Sequence, residues 1–217
     1  MCFSPLASFA AGVAISTVGV ATLKNVNNRR EIPFALVPLI FGIQQIIEGF
    51  VWLSFGWSPE SHAIFSAIYS VFALCVWPMG LPVAILLLED HEFRQKILMV
   101  IGLAGIAVGG FLLYHIFVHP PGAYVLNSCI HYEVVVPYSN LLWAAYVLVV
   151  VGAGLVSSKK TVQVFGAVLF GSLLFALHQY KENAISVWCF FSALLSAVVY
   201  WHFIRKPVKK RLLKKLL

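Results

Sequence analysis

Long apolar runs alternate with short polar clusters along the whole chain. An α-helix needs about 20 apolar residues to cross roughly 30 Å of hydrocarbon. Seven runs meet this length, and the sequence predicts a transmembrane helix in each: 5–23, 33–56, 63–88, 97–118, 138–157, 161–180 and 184–204. Because the connections are too short for a second domain, we expect an all-α bundle over residues 1–204 and a separate tail over residues 205–217.

The composition indicates that lipid surrounds most of the side chains. Of the 217 residues, 61% are hydrophobic and only 11% are charged, which exceeds what a soluble core requires. A cleaved signal peptide is the competing interpretation of the first apolar run. It is disfavoured because no basic residue precedes that run, whereas Lys24, Arg29 and Arg30 follow it. We expect an integral membrane protein that keeps its first helix.

The lysines and arginines predict the orientation. All but one of the 15 basic residues fall on one side of the predicted helices, and Lys181 is the exception. Short loops that stay in the cytoplasm retain Lys and Arg, whereas translocated loops avoid them. The sequence therefore predicts an outer N-terminus, a cytoplasmic C-terminus and a location in the cytoplasmic (inner) membrane. An even number of helices would break this asymmetry.

The tail is strongly basic and is interleaved with leucines. Its basic residues are Arg205, Lys206, Lys209, Lys210, Arg211, Lys214 and Lys215. Such a segment is typical of an amphipathic stretch on anionic headgroups, so we expect the tail to bind lipids of the inner leaflet. The net charge of +7 reflects this topology, and we expect no nucleic-acid partner.

One ionisable residue falls well inside a predicted helix. Glu48 lies within FGIQQIIEGFVWLSF, with Gln44 one turn before it and Trp52 one turn after it. This spacing of four places the three side chains on one helix face. Because a charge at the bilayer centre costs about 2.5 to 3.5 kcal/mol, Glu48 is a candidate proton-, ion- or metal-binding carboxylate or catalytic base. A hydrogen bond that holds helices together is the structural alternative.

Histidines concentrate on the predicted outer side, where His62, His115, His119, His131 and His178 lie. Glu182 follows His178 by one turn if that helix continues. We predict that His62, His131 and His178 ligate a transition-metal ion, zinc above others, with Glu182 as a second candidate base. No stretch matches an established zinc signature, and two facing histidines would also suit a b-type haem. Each histidine alone is better explained as an interfacial side chain.

The longest connection is the outer segment 119–137. Long loops often act as lids, so Tyr132 within it is a candidate binding residue, with simple packing over the bundle as the alternative. Two prolines, Pro78 and Pro82, predict a kink in the third helix, which would open a cavity beside it. In the fourth helix, Gly105 and Gly109 predict a small-residue packing face.

The four cysteines are too few for a disulfide framework. Cys2 falls near the outer surface, and removal of Met1 would leave its thiol at the amino terminus. It is a candidate metal ligand or nucleophile, with a buried structural role as the alternative. A disulfide among Cys2, Cys129 and Cys189 is left open.

Four stretches of the chain stand out together. They are the start Met1-Cys2-Phe3-Ser4 with Ala7-Ser8-Phe9, the segment GIQQIIEGFVW, the Trp77-Pro78 pair and the late segment SVWCFFSALLS. In these stretches the chain resembles an uncharacterised bacterial family of small multi-pass membrane proteins that begin Met-Cys-Phe-Ser. The resemblance implies that Cys2, Glu48, Trp52, Trp188 and Cys189 occupy recurring motifs, which makes Trp188 a further candidate binding residue. It implies no activity.

Three classes of function are open, and the first is preferred. It is an intramembrane metal enzyme, such as a hydrolase, in which zinc activates water and Glu48 or Glu182 is the general base. The second is a small transporter or channel with Glu48 as the proton- or ion-coupling carboxylate and the kinked third helix as gate. The third is a structural or assembly partner of another membrane protein. Neither the substrate nor the oligomeric state can be deduced from these patterns.

Overall fold

Seven helices form the body of the protein. The computed structural model describes residues 4–205, so most of the predicted basic tail lies outside the described residues. Within that range, seven helices are long and apolar enough to cross a membrane, which confirms the predicted number and the all-α class. They are α1 (Pro5–Leu23), α2 (Arg29–Ser54), α3 (Pro59–Leu88), α4 (Glu92–Val118), α5 (Ser139–Val156), α6 (Lys160–Gln179) and α7 (Lys181–Ile204). Helix α7 returns to pack against α1 and α2, which closes the bundle.

Helices α2, α3, α4 and α7 begin earlier than their apolar runs because their first turns are polar. At the start of α3, Pro59 is the first helical residue and the hydroxyl of Ser58 accepts a hydrogen bond from the Ser61 amide at 3.3 Å. At the start of α2, the Asn28 side chain accepts one from the Arg30 amide at 3.2 Å. Such caps satisfy the free amides of a first helical turn. Hydropathy alone therefore placed these helix starts too late.

A β-hairpin, which the sequence did not predict, occupies the long connection between α4 and α5. Its antiparallel strands are β1 (Gly122–Leu126) and β2 (Cys129–Glu133). Asn127 and Ser128 form the turn with φ angles of 49° and 60°, as tight two-residue hairpin turns require. We call this side of the bundle the hairpin end. The opposite side, the basic end, carries the connections 24–28, 89–91 and 157–159 and the first turns of α2, α4 and α6.

Helix α3 is distorted near its middle, next to the prolines that predicted a kink. Residues Phe72–Val76 form a π-helical segment directly before Trp77, and Pro78 follows. A proline lacks the amide donor and displaces carbonyls of the preceding turn, which frees them for other partners. The carbonyl of Ala73 accepts a 2.6 Å hydrogen bond from the hydroxyl of Tyr146 in α5. A neighbouring helix thus stabilises the distortion.

Helices α3 and α4 pack closely through small residues. A side-chain carbon added at Gly105 would lie 2.0 Å from the carbonyl oxygen of Pro78, and one added at Gly109 would lie 2.4 Å from the Met79 side chain. A carbon added at Gly110 would meet nothing within 4 Å. The small-residue face predicted for α4 is therefore the face that contacts α3.

Glu89 joins two connections at the basic end. Its side chain accepts hydrogen bonds from the amides of Asp90, His91 and Ser158 and from the hydroxyls of Ser157 and Ser158. Burial by itself would raise the pKa of the Glu89 carboxyl, but the hydrogen bonds from Ser158, His91 and Asp90 together lower that pKa to about 2. The ionised Glu89 therefore connects the end of α3 to the start of α6.

Gly105→Ala should destabilise the protein, whereas Gly110→Ala on the same helix should not. The added methyl at position 105 meets a backbone oxygen that cannot rotate away, and overpacking of this kind costs about 1–3 kcal/mol. Thermal unfolding of both variants in detergent micelles measures the difference. Equal melting temperatures would contradict a close approach of α3 and α4 at Gly105.

Glu89→Gln should lower stability at neutral pH by about 3 kcal/mol, because each unit by which folding lowers a carboxyl pKa contributes about 1.4 kcal/mol. The pKa of Glu89 falls from 4.5 to about 2, so the contribution is complete above the unfolded-state value and is lost as the pH falls toward the folded-state value. The wild-type melting temperature should therefore drop more steeply with acidification than that of the variant. Asp90→Asn is the matched control, since the exposed Asp90 carboxylate only pairs with Lys159 at the surface. Parallel acid profiles for wild type and Glu89→Gln would contradict this role.

Candidate functional site

The polar part of the bundle interior is centred on Glu48 of α2. Its side chain is fully buried, and the hydroxyl of Ser186 in α7 donates a hydrogen bond to its Oε1 atom at 2.6 Å. Ser186 reaches this position because the first half of α7 packs on α2. Membrane carboxylates usually face the bundle interior, where other helices supply hydrogen-bond partners. Glu48 follows this rule.

Two glutamines precede Glu48 on the adjacent turn of α2, and both are fully buried. The side-chain oxygen of Gln44 accepts a 2.8 Å hydrogen bond from the indole of Trp77, which follows the π-helical segment of α3. The amide nitrogen of Gln44 and both polar atoms of Gln45 make no hydrogen bond to the described residues. Buried polar atoms in this state are typical of places that hold water or a ligand.

Two tyrosines cover this group on the side of the hairpin. The rings of Tyr69 and Tyr132 stack with centroids 4.3 Å apart and an interplanar angle of 12°. The Tyr69 hydroxyl is buried near the Gln44 and Cys189 side chains and makes no hydrogen bond to the described residues. Burial raises the pKa of the Tyr132 phenol well above its usual value, so it stays protonated at neutral pH. We call Gln44, Glu48, Tyr69, Tyr132, Ser186 and Cys189 the polar core.

The hairpin is fixed over the polar core mainly through its backbone carbonyls. His62 of α3 donates from Nε2 to the carbonyl of Ala123 at 2.9 Å. Asn183 of α7 donates from Nδ2 to the carbonyl of Leu126, also at 2.9 Å. Cys129 in the hairpin is disulfide-bonded. Side chains of α3 and α7 therefore hold the hairpin in place over the polar core.

The predicted zinc ligands do not assemble around a common point. Both ring nitrogens of His62 are occupied, one by the Ala123 carbonyl and the other by the Ser54 hydroxyl at 2.8 Å. His131 donates from Nδ1 to the backbone carbonyl of Glu182. Within residues 4–205, no group of three or more His, Cys, Asp or Glu side chains is arranged to hold a metal ion.

The one-turn spacing expected for His178 and Glu182 is wrong, because no helix continues through them. Helix α6 ends at Gln179, and the 3-10 turn Lys181–Asn183 begins α7. Both side chains are exposed at the hairpin end. His178 and Glu182 therefore lie outside the polar core.

A groove with a volume of about 820 Å³ opens between α5, α6 and the start of α7 at the hairpin end. Apolar side chains of α5 and α6 form its walls, and Trp188 of α7 also lines it. Its polar rim consists of His131, Glu133, Lys181, Glu182 and Asn183. The volume lies in the range of small-molecule sites, which is roughly 300–1,000 Å³. We call this feature the hairpin-end groove.

Comparison with known proteins identifies the family. A model of a family of unknown function, DUF6629, matches residues 1–213. The chain belongs to this family. The expected membership of an uncharacterised family is therefore confirmed. No curated protein and no solved structure matches the chain, so the family brings no activity to the residues above.

The predicted site residues divide between two neighbouring places in this DUF6629 protein. Glu48, Gln44 and Tyr132 lie in the polar core, whereas His131, Glu182 and Trp188 line the groove, as Tyr132 also does. Three others, His62, Trp52 and His178, join neither place. His62 is hydrogen-bonded to Ser54 and to the hairpin, Trp52 is half-buried against Phe55, and His178 is exposed and does not line the groove. Cys2 lies outside the described residues.

Sequence reasoning missed Ser186, Tyr69 and Asn183. Serine and tyrosine are tolerated inside membrane helices, so neither Ser186 nor Tyr69 produced a signal in the hydropathy pattern. Ser186 does begin the segment SVWCFFSALLS, which carried the family resemblance. Asn183 was hidden because its role depends on the hairpin, which was not predicted.

Proposed function

We propose that this protein is a small membrane transporter in which Glu48 is the carboxylate that binds a proton or another coupling cation. The observation that carries the proposal is the complete burial of Glu48 within a polar core inside a bundle of apolar helices. Ionisable groups at such a depth are costly, and where they occur they commonly mark ion or proton pathways. The Ser186 hydroxyl and the Gln44 and Gln45 amides supply the additional polar groups that a cation site needs.

The distortion of α3 favours a transport role for Glu48 over a purely structural hydrogen bond between helices. The π-helical segment Phe72–Val76 ends directly before Trp77. The indole of Trp77 is hydrogen-bonded to Gln44 in the polar core. Transporter sites are often built where membrane helices are interrupted, because irregular backbone there can rearrange. In this proposal, the part of α3 after Trp77 moves as the gate beside Glu48.

The zinc hydrolase that the histidines favoured has less support. His62 and His131 use ring nitrogens to fasten the hairpin, and no three-ligand group occurs in the part of the chain that the structure describes. Zinc sites need three or four ligands at about 2 Å from the ion. Metal binding, haem binding and a role as an assembly partner remain predictions, and so does binding of anionic lipids by the tail.

We also propose that the hairpin end faces the outside of the cytoplasmic membrane. The connections and helix starts at the basic end carry the lysines and arginines that cytoplasmic loops retain. The disulfide at Cys129 lies in the hairpin, and disulfides persist in oxidising compartments outside the cytoplasm. These two observations are independent and favour the same orientation.

Glu48→Gln should reduce cation uptake by proteoliposomes at least about tenfold, since the amide keeps an acceptor for Ser186 but cannot bind a proton or balance a cation. Uptake of protons and of radioactive sodium under an imposed membrane potential is the measurement. Glu60→Gln is the matched control, because Glu60 is an exposed glutamate at the hairpin end. Metal analysis of the same preparations accompanies the assay.

Two results would contradict the transporter. One is uptake by Glu48→Gln equal to that of wild type, and the other is no uptake of either ion by well-folded wild-type protein. Stoichiometric zinc that is lost from His62→Ala would instead favour the metal enzyme. Melting temperatures show whether each variant is folded.

A membrane-impermeant maleimide applied to spheroplasts should label Tyr138→Cys but not Lys160→Cys. The first position is 80% exposed next to the hairpin, and the second lies exposed at the basic end. Cys75 and Cys189 are buried, so wild-type protein should give little background. Labelling of Lys160→Cys alone would reverse the proposed orientation, and both positions should react after the membrane is permeabilised.

A further inference from the structure

Helices α5 and α6 are close at one end and separate at the other. Near the basic end, a side-chain carbon added at Gly154 would lie 2.7 Å from the Cα atom of Gly166, so the two backbones touch there. Toward the hairpin end, the hairpin-end groove lies between the same two helices. The groove therefore widens along the direction that a lipid chain takes in one leaflet.

The walls of the groove match hydrocarbon. Leu148 of α5 is 71% exposed and Leu174 of α6 is 52% exposed, and both line the groove. Phe170 is another exposed apolar wall residue. These side chains lie within predicted membrane spans. Lipid acyl chains surround such spans, so an acyl chain is the expected occupant of the apolar part of the groove.

The rim of the groove carries groups of both charges. Lys181 is the only lysine or arginine within residues 4–205 that lies at the hairpin end, and Glu133 and Glu182 line the same groove. A phosphate is the natural partner for the lysine, whereas an ammonium group is the natural partner for the carboxylates. A headgroup with both charges would satisfy the whole rim.

An unused acceptor on the rim also indicates a ligand. Asn183 is only 4% exposed and lines the groove, and its Nδ2 atom already donates to Leu126. This bond assigns the other side-chain atom, Oδ1, as an acceptor, and Oδ1 has no hydrogen-bond partner among the described residues. Since a buried acceptor without a partner costs about 1–3 kcal/mol, a donor from a bound molecule would relieve this cost.

We propose that the hairpin-end groove binds one zwitterionic phospholipid of the ethanolamine type. Its acyl chain lies between α5 and α6, its phosphate pairs with Lys181, and its ammonium group donates to Asn183 and to the neighbouring carboxylates. An anionic phospholipid without an amine would bring no positive charge to the two carboxylates of the rim, and its own net negative charge would be repelled by them. The site is separate from cation binding by Glu48, so each proposal can fail without the other.

Native mass spectrometry of the purified full chain tests this site. The protein is given equal amounts of phosphatidylethanolamine and phosphatidylglycerol with identical acyl chains, and retained lipid is counted. Wild type should retain phosphatidylethanolamine about tenfold over phosphatidylglycerol, which corresponds to one charge-assisted hydrogen bond. Asn183→Leu should reduce this preference severalfold. Lys181→Ala should instead lower the retention of both lipids severalfold, because both carry the phosphate that Lys181 pairs with, and Lys181→Arg should preserve it.

A variant that fills the groove provides a second test, which does not depend on the lipid headgroup. Leu174→Trp places bulk in the groove and should remove the retained lipid. Leu103→Trp is the matched control, because Leu103 is 63% exposed on α4 and does not line the groove. Equal retention of the two lipids by wild type, a preference for phosphatidylglycerol, or equal retention by the two tryptophan variants would each overturn the proposal and indicate ordinary surrounding lipid only.

Discussion

The hydrogen bond between Ser186 and Glu48 connects the second helix to the last inside the bundle. In hydrocarbon, a polar side chain must find its partner on another helix, so this pair constrains which helices can be neighbours. It brings the start of α7 against α2, and the start of α7 in turn supports β2 of the hairpin. Helix α7 therefore both contacts the hairpin and donates the hydrogen bond to the buried carboxylate of Glu48.

The two ends of the bundle differ in how firmly they are held. At the basic end, hydrogen bonds to Glu89 join the connection after α3 to the connection before α6. Gly154 and Gly166 bring the backbones of α5 and α6 into contact there. At the hairpin end, the same helices separate around the groove, and the hairpin is fastened by a few side chains. A bundle that is tight at one end and open at the other admits ligands at the open end. This asymmetry supports a site for lipid or solute under the hairpin.

Much of the fold was predictable because hydropathy reports directly on the membrane. The number of helices follows from run length alone, but their starts do not, since capped polar turns such as the one at Ser58 extend a helix beyond its apolar run. The hairpin was missed because its turn, Asn127-Ser128, is not a strong turn sequence and its strands are short. For the π-helical segment Phe72–Val76, the sequence predicted only a kink next to Pro78. Hydrophobic periodicity does not distinguish a π-helical segment from a proline kink.

The candidate site was predictable where it depended on spacing within one helix, as for Gln44 and Glu48. It was not predictable where helices from distant parts of the chain meet, as for Ser186. Residue type suggested that His62 and His131 ligate a metal ion, whereas in the structure each of them hydrogen-bonds to a backbone carbonyl. In the proposed orientation the hairpin lies on the translocated side, where its carbonyls need donors and the positive-inside rule disfavours lysine and arginine. Neutral histidine donates a hydrogen bond without carrying a charge. His62 and His131 fit this need, since both donate to backbone carbonyls at the hairpin end.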